Sequence, residues 1–343
     1  MAQRRTQGVA LAVSSLLFAA VPALADAASM TFWDDDSRSV TVPLPELYPE
    51  GIETHPETGE FILGSIRQGK VFALSPNGEV RTLVDDQRLR SVVGIRVDAE
   101  RGRLLVNNSD YGVAERSGTE DRFATVALGI YALSTGAPIH YVDLSALRPG
   151  ERRFANDLAV DDEGNAYVSD SLAAAIYKVT PSGEASVFLA NERFRGDGFN
   201  LNGIQYHPEG FLLVAKKSDG SVFKVPLDNP EQFTEVRLPK PLVGTDGLVL
   251  VVPDELVAIT NRASGVVSNT VFKLVSEDGW ASARIEGTFQ TGDVYPTTGT
   301  LREGKLYVNY GHLHTLPATL KDGGPMIESF RIQEIGKLQD GEG

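Results

Sequence analysis

No cysteine occurs among the 343 residues. Disulfides, thiolate zinc sites, iron–sulfur clusters and cysteine nucleophiles are therefore excluded, and any chemistry must use oxygen and imidazole groups. Positive charge is also scarce: 32 Lys and Arg stand against 46 Asp and Glu, a formal charge of −14. That balance repels nucleic acid and anionic membrane at long range, so neither is expected as a partner. Histidine is limited to five residues, His55, His140, His207, His312 and His314. After the N-terminus no apolar run is long enough to span a bilayer; even the stretch from Leu248 to Ile259 is broken by Pro253, Asp254 and Glu255.

The first 25 residues carry Arg4-Arg5, an apolar stretch from Val9 to Val21 and a small-residue exit, Pro22-Ala23-Leu24-Ala25. These are the basic, hydrophobic and cleavage parts of a secretory signal, with cleavage expected after Ala25. Residues 26–343 then form one domain, exported to the periplasm or the medium and free of the membrane once cleaved. Without disulfides, its stability must come from a packed core.

Beyond Asp26 the chain is a succession of short β-rich runs separated by Gly, Pro, Asn and Asp clusters, with no long amphipathic helix. One phrase recurs: an opening residue usually followed by Gly, then Ile or Leu, a turn and an apolar strand. It begins at Glu50 (EGIETHPETGEFILGS), Val93 (VGIRVDAERGRLLVNNS), Asn156 (NDLAVDDEGNAYVSDS), Asn202 (NGIQYHPEGFLLVAKKS), Asp246 (DGLVLVVPDELVAITN) and Thr298 (TGTLREGKLYVNYG). Successive starts differ by 43, 63, 46, 44 and 52 residues, the span of a four-stranded blade, with an insertion in the second copy. The reading is all-β: a six-bladed β-propeller. The last copy lacks an outer strand, and Ser39 to Leu44, lying before the first copy, is expected to supply it and close the ring.

In a propeller the first strand of each blade is innermost, so the opening residues converge at one mouth of the central channel. The loops joining second to third strands emerge at that same mouth. Glu50, Asn156, Asn202 and Asp246 bring two carboxylates and two amides together there, a donor set suited to a divalent cation, Ca²⁺ first, with zinc or manganese as substitutes. Asn-Gly and Asp-Gly are also ordinary turn dipeptides, but Glu is not a turn former, and Glu50 is preferred by register over Glu53 as the acid of its blade.

The phrases at Glu50, Asn156, Asn202 and Asp246 resemble the calcium-binding signatures of the senescence-marker-protein/gluconolactonase family, six-bladed propellers that include regucalcin and bacterial lactonases; more distantly they are similar to paraoxonase and strictosidine-synthase-like propellers. The resemblance spans the whole mature chain. It implies that Glu50, Asn202 and Asp246 ligate the metal, with Asn156 as a nearer or water-bridged fourth ligand, and that Asp246 is the base. The Pro-Val-Trp run common in gluconolactonases is missing from the first phrase.

A bound Ca²⁺ polarises a carbonyl against an attacking water, which suffices for lactones and activated esters. No G-x-S-x-G phrase signals a serine hydrolase. His312 and His314, in NYGHLHTLP of the last blade, are alternative proton-transfer groups. Lys216, Lys217, Arg262, Arg67 and Tyr310 are candidate contacts for a substrate carboxylate or sugar hydroxyl. The insertion from Tyr111 to Phe123 is long enough for a lid. His55 and His207, each before Pro, read as turn or surface residues on the far face, and His140 as structural. The expected function is a metal-dependent hydrolase of lactones or related esters, with aldonolactones leading. Alternatives are a non-catalytic, Ca²⁺-stabilised propeller that binds a ligand or protein, and a strictosidine-synthase-like enzyme.

Overall fold

The structure, a computed structural model, describes residues 1, 31–32, 38–118 and 122–337. The expected signal segment falls almost wholly outside the described residues. From Pro49 onward, six antiparallel sheets succeed one another. The first is built from Pro49–Thr54, Phe61–Ser65, Val71–Leu74 and Val80–Val84. The innermost strands of the other five are Ser91–Asp98, Ala155–Val160, Leu201–His207, Thr245–Val252 and Pro296–Arg302. Each packs on the innermost strand of the next blade, and the sixth returns to the first, so the ring closes. This is the expected six-bladed β-propeller.

Closure uses both ends of the described chain. In the sixth blade the outermost strand is Ser39–Val42, paired antiparallel with Phe330–Lys337 in the register Val40 opposite Ile332. The edge of Phe330–Lys337 is thereby satisfied by hydrogen bonds from the other end of the chain. Thr31–Phe32 adds a short parallel strand to the outer edge of the fifth blade, opposite Gly287 and Thr288, a pairing that the repeats did not signal. Among the described residues one α-helix, Leu316–Asp322, lies in the loop of the sixth blade.

A feature common to all six blades positions the mouth residues. In every innermost strand the pairing register breaks where the recurring phrase begins: between Pro49 and Ile52, Val92 and Ile95, Ala155 and Leu158, Leu201 and Ile204, Thr245 and Gly247, and Pro296 and Gly299. Such a bulge takes residues out of the ladder and re-aims their side chains. The carbonyls this displaces need other partners, and side chains of the preceding blade's second strand supply them. Asn107 Nδ2 donates to Asn156 O (3.1 Å), Ser169 Oγ to Asn202 O (2.6 Å) and Asn309 Nδ2 to Glu50 O (3.2 Å). The Gly after the opener serves the same close approach. A Cβ at Gly94 would lie 2.5 Å from Asn156 O, and one at Gly203 would lie 2.6 Å from Leu248 N, so neighbouring backbones meet only because the side chain is missing. The third blade alone carries an acid at this place, Asp157.

The far-face histidines are turn residues, but not surface ones. The His55 Nδ1 accepts from the Glu57 and Thr58 amides, and His207 stacks on Phe211 at 4.1 Å with Nε2 2.8 Å from Pro253 O. Both are buried, because an imidazole that satisfies its own turn can be covered without orphaning a polar atom. His140 lies in the outermost strand of the second blade, Pro138–Asp143.

Candidate active site

Five of the six openers, Glu50, Val93, Asn156, Asn202 and Asp246, line one cavity of about 260 Å³. Its wall comes from the loops that enter first strands, which carry Phe154, Phe199 and Tyr295, and from those that follow second strands, which carry Ile66, Tyr111, Lys217, Leu313 and His314. The two loop families emerge at the same mouth, as propeller topology requires.

Of the residues expected at the site, the structure gathers Glu50, Asn156, Asn202, Asp246, Lys217 and His314. Others are turned to structural partners. Arg67 bonds Val113 O at 3.1 Å and pairs with Glu46. Lys216 bonds Arg193 O at 3.0 Å and Asp219 at 2.8 Å. Arg262 pairs with Asp293. Tyr310 is buried in the core between the fifth and sixth blades. His312 sits off the cavity lining, toward Phe330. None of these five lines the cavity; beside Arg67, Lys216 and His312 the inward place is taken by the neighbours Ile66, Lys217 and Leu313.

The centre of the site is Asp246. Its Oδ1 accepts from Lys217 Nζ at 2.7 Å and from the Asn202 amide, and its Oδ2 accepts from the Asn261 amide. The Asn261 Oδ1 accepts from Lys217 Nζ at 2.6 Å. Burial works against the Lys217 ammonium, but Asp246, Tyr295 and Glu50 outweigh it and hold its pKa above the ordinary lysine value. Glu50 differs. Its carboxyl has no hydrogen-bond partner among the described residues, and burial, followed by repulsion from Asp246 and Asp157, raises its pKa well above the ordinary carboxylate range. The Asn156 amide donates to Ser171 Oγ at 2.9 Å, while its Oδ1 is buried without a partner.

Two further groups sit at the rim. Tyr295 places its ring 5.4 Å from Lys217 Nζ and stacks on His314 at 5.5 Å. Tyr295 (φ 50°) and His312 (φ 51°) both hold left-handed backbone conformations, uncommon for non-glycine residues. The pairing of His312 N with Val294 O at 3.0 Å and of Gly311 N with Tyr295 O at 3.1 Å keeps them there. Burial, with Arg262 nearby, lowers the His314 pKa, so the ring is neutral at neutral pH.

A divalent cation does not fit this donor set as it stands. The expected ligands do converge, and the orphaned Asn156 Oδ1 has the right chemistry. Both oxygens of Asp246, however, are taken by donors, one of them an ammonium. A doubly charged ion about 4 Å from that ammonium would meet a repulsion of about 8 kcal/mol at an effective dielectric of about 20. Among the described residues, no group of three or more His, Cys, Asp or Glu is arranged to hold a metal.

Tyr295, Asn261, Phe154 and Phe199 were not singled out from sequence, and Tyr111 and Phe123 entered only as the bounds of a lid. Asn261 had a signal: it follows the residue paired with Thr245, as Lys217 follows the one paired with Leu201. Phe154 and Phe199 had none, since they lie outside the recurring phrase.

No protein-family model matches the sequence, and comparison with curated proteins gives no match. Solved structures do match. The major allergen Mala s 1 of Malassezia sympodialis superposes with a TM-score of 0.68 at 17% identity, covering 86% of this chain and 95% of that one. A gluconolactonase of Xanthomonas campestris gives 0.58 at 15%, covering 89% and 93%. Luciferin-regenerating enzyme gives 0.59 at 12%, covering 88% and 96%. The chain shares the propeller fold of these proteins. At such identities the likeness is one of fold, and function rests on the site.

Proposed function

We propose that this chain hydrolyses lactones or related esters at the mouth of its propeller, as an exported enzyme, with a lysine ammonium in the place where the family resemblance implies a metal. The observation that carries the reading is the presence, in one cavity, of the Lys217 ammonium and a desolvated carboxyl, Glu50. The fold it shares with a protein named as a gluconolactonase supports the same class.

The substrate carbonyl oxygen docks on Lys217, whose Asp246 and Asn261 partners fix the ammonium in position. An oriented cation of this kind in a dry site stabilises the developing oxyanion. Glu50, in its ionised form, takes a proton from water as the water oxygen bonds to the carbonyl carbon. The acyl–oxygen bond then breaks, and the proton held by Glu50 passes to the departing alkoxide, giving the hydroxy acid. A carboxyl whose pKa is raised is a stronger base than an ordinary one. Asp246, expected as the base, instead serves to hold Lys217, because its oxygens are occupied. His314 is the nearest alternative for proton delivery at the rim.

A strictosidine-synthase-like reaction would share the acid in an apolar pocket, but a cationic amine substrate would be repelled by Lys217. The test is hydrolysis of a lactone panel by the mature chain with and without chelator, beside Glu50→Gln and Lys217→Met. Turnover that survives chelation and falls at least a hundredfold in both variants supports the reading. Turnover that disappears with chelator and returns with Ca²⁺ overturns the lysine assignment; ligand binding with no turnover of any ester favours a binding propeller.

A further inference from the structure

Above the charged floor, the cavity is walled by rings that pack on one another. Phe154 and Phe199 meet edge to face at 5.0 Å, Tyr111 approaches Phe154 at 6.0 Å, and Phe123 packs on both phenylalanines at 6.4 and 6.2 Å. Leu313 and Pro317 close the opposite side. The described part of the 111–123 insertion thus contributes wall: Tyr111 reaches the cavity and Phe123 buttresses Phe154 from behind. Such edge-to-face packing fixes the rings, so the wall is preformed.

The polar side chains that reach the cavity are those of the floor, with His314, Tyr295 and Tyr111 above them; Phe154, Phe199, Leu313 and Pro317 offer no side-chain hydrogen bond. Arg67, Arg262 and Lys216, expected as contacts for sugar hydroxyls, are engaged elsewhere. The hydroxyls of a polyhydroxylated ring that lay against Phe154, Phe199 and Leu313 would lose their hydration without gaining partners there, and a buried hydroxyl without a partner is costly.

We propose that the substrate is a lactone or ester with an apolar body, an alkyl or aryl substituent lying against Tyr111, Phe154 and Phe199, and is not an aldonolactone. The inference rests on the hydrolase reading for its chemistry, but the wall that selects the body is independent of it. One polar end, the carbonyl, meets Lys217, and the remainder of the molecule is recognised by contact area alone.

Two δ-lactones separate the classes: δ-decalactone, with a pentyl tail, and glucono-δ-lactone, with hydroxyls. The expected result is a kcat/KM at least a hundredfold higher for δ-decalactone. Phe199→Ala should lower that value about tenfold, the cost of one lost apolar contact surface, and shrink the preference between the two lactones. Leu313→Ala, on the opposite side, provides a second variant should the first fail to fold. Equal turnover of the two, or preference for glucono-δ-lactone, overturns the proposal. The δ-lactam analogue of δ-decalactone, which resists hydrolysis, gives a readout without turnover: calorimetry should detect its binding, weakened in Phe199→Ala. Lactam binding with no hydrolysis of any lactone would sink the catalytic reading and keep the apolar ligand class, whereas no lactam binding would sink the class itself.

Discussion

The Lys217 ammonium lies between two oxygens of the fifth blade, 2.7 Å from Asp246 Oδ1 and 2.6 Å from Asn261 Oδ1. A blade-four side chain thus carries the positive charge at the centre of the mouth.

Removing that charge should do two things. Lys217→Met leaves Asp246 as a buried carboxylate without its counter-charge, a change that costs about 3–5 kcal/mol. It also clears the ammonium from a set containing Glu50, Asn156, Asn202 and Asp246. Thermal unfolding with and without Ca²⁺ checks both effects: the variant melts lower and gains stability from Ca²⁺, while the wild type is indifferent to it. A wild-type melting temperature that rises strongly with Ca²⁺ would contradict the assignment.

Activity should follow the base form of Glu50. Burial raises its pKa, so ionisation comes late, and kcat/KM climbs with increasing pH before levelling off. Glu50→Gln should remove this limb and reduce kcat by about a hundredfold or more. A flat profile from pH 5 to 8 in the wild type would exclude Glu50 as base.

Stability should run the opposite way, because of two acids deeper in the channel. Burial, outweighing attraction to Arg96, raises Glu53 from 4.5 to about 7, and burial raises Asp157 from 3.8 to about 6. Between the unfolded and folded values the folded state holds more protons, so stability declines as pH rises through that window. For Glu53 the change is of order 3 kcal/mol. Urea unfolding at pH 5 and pH 8 should show the decline, and Glu53→Gln should flatten it even though Arg96 loses its 2.8 Å partner.

Loss of the closing strand should be more damaging than its length suggests. Truncation through Val42 exposes the edge of Phe330–Lys337 and uncovers part of the cluster formed by Val42, Tyr48, Phe330 and Ile332. Several kcal/mol of stability should disappear, with concentration-dependent association through the bare edge. Denaturant titration and light scattering of the truncated chain measure both.

Much of this arrangement was legible in the sequence. A phrase repeated at blade spacing placed all six innermost strands, and topology then placed Glu50, Asn156, Asn202 and Asp246 at one mouth, as found. Ser39 was legible as the start of the closing strand because the last repeat was short of one. What escaped was the state of the donors once gathered. Whether a carboxylate meets a metal or a lysine depends on which of two adjacent residues, Lys216 or Lys217, turns inward, and a bulge or turn of one residue reverses that choice. The aromatic wall was largely hidden: the insertion beginning at Tyr111 stood out by its length, but Phe154 and Phe199 belong to no shared pattern and meet Tyr111 only through the closed ring.

The joining of Ser39–Val42 to Phe330–Lys337 also makes the ring a latch between distant segments. Val40 and Ile332, which face each other in that pairing, are 292 positions apart in the chain. Blades one to five can each form from neighbouring segments, yet the circle stays unlatched until these two distant stretches meet. A molecule in which they have not met is an open arc, with no finished mouth in which a ligand could settle.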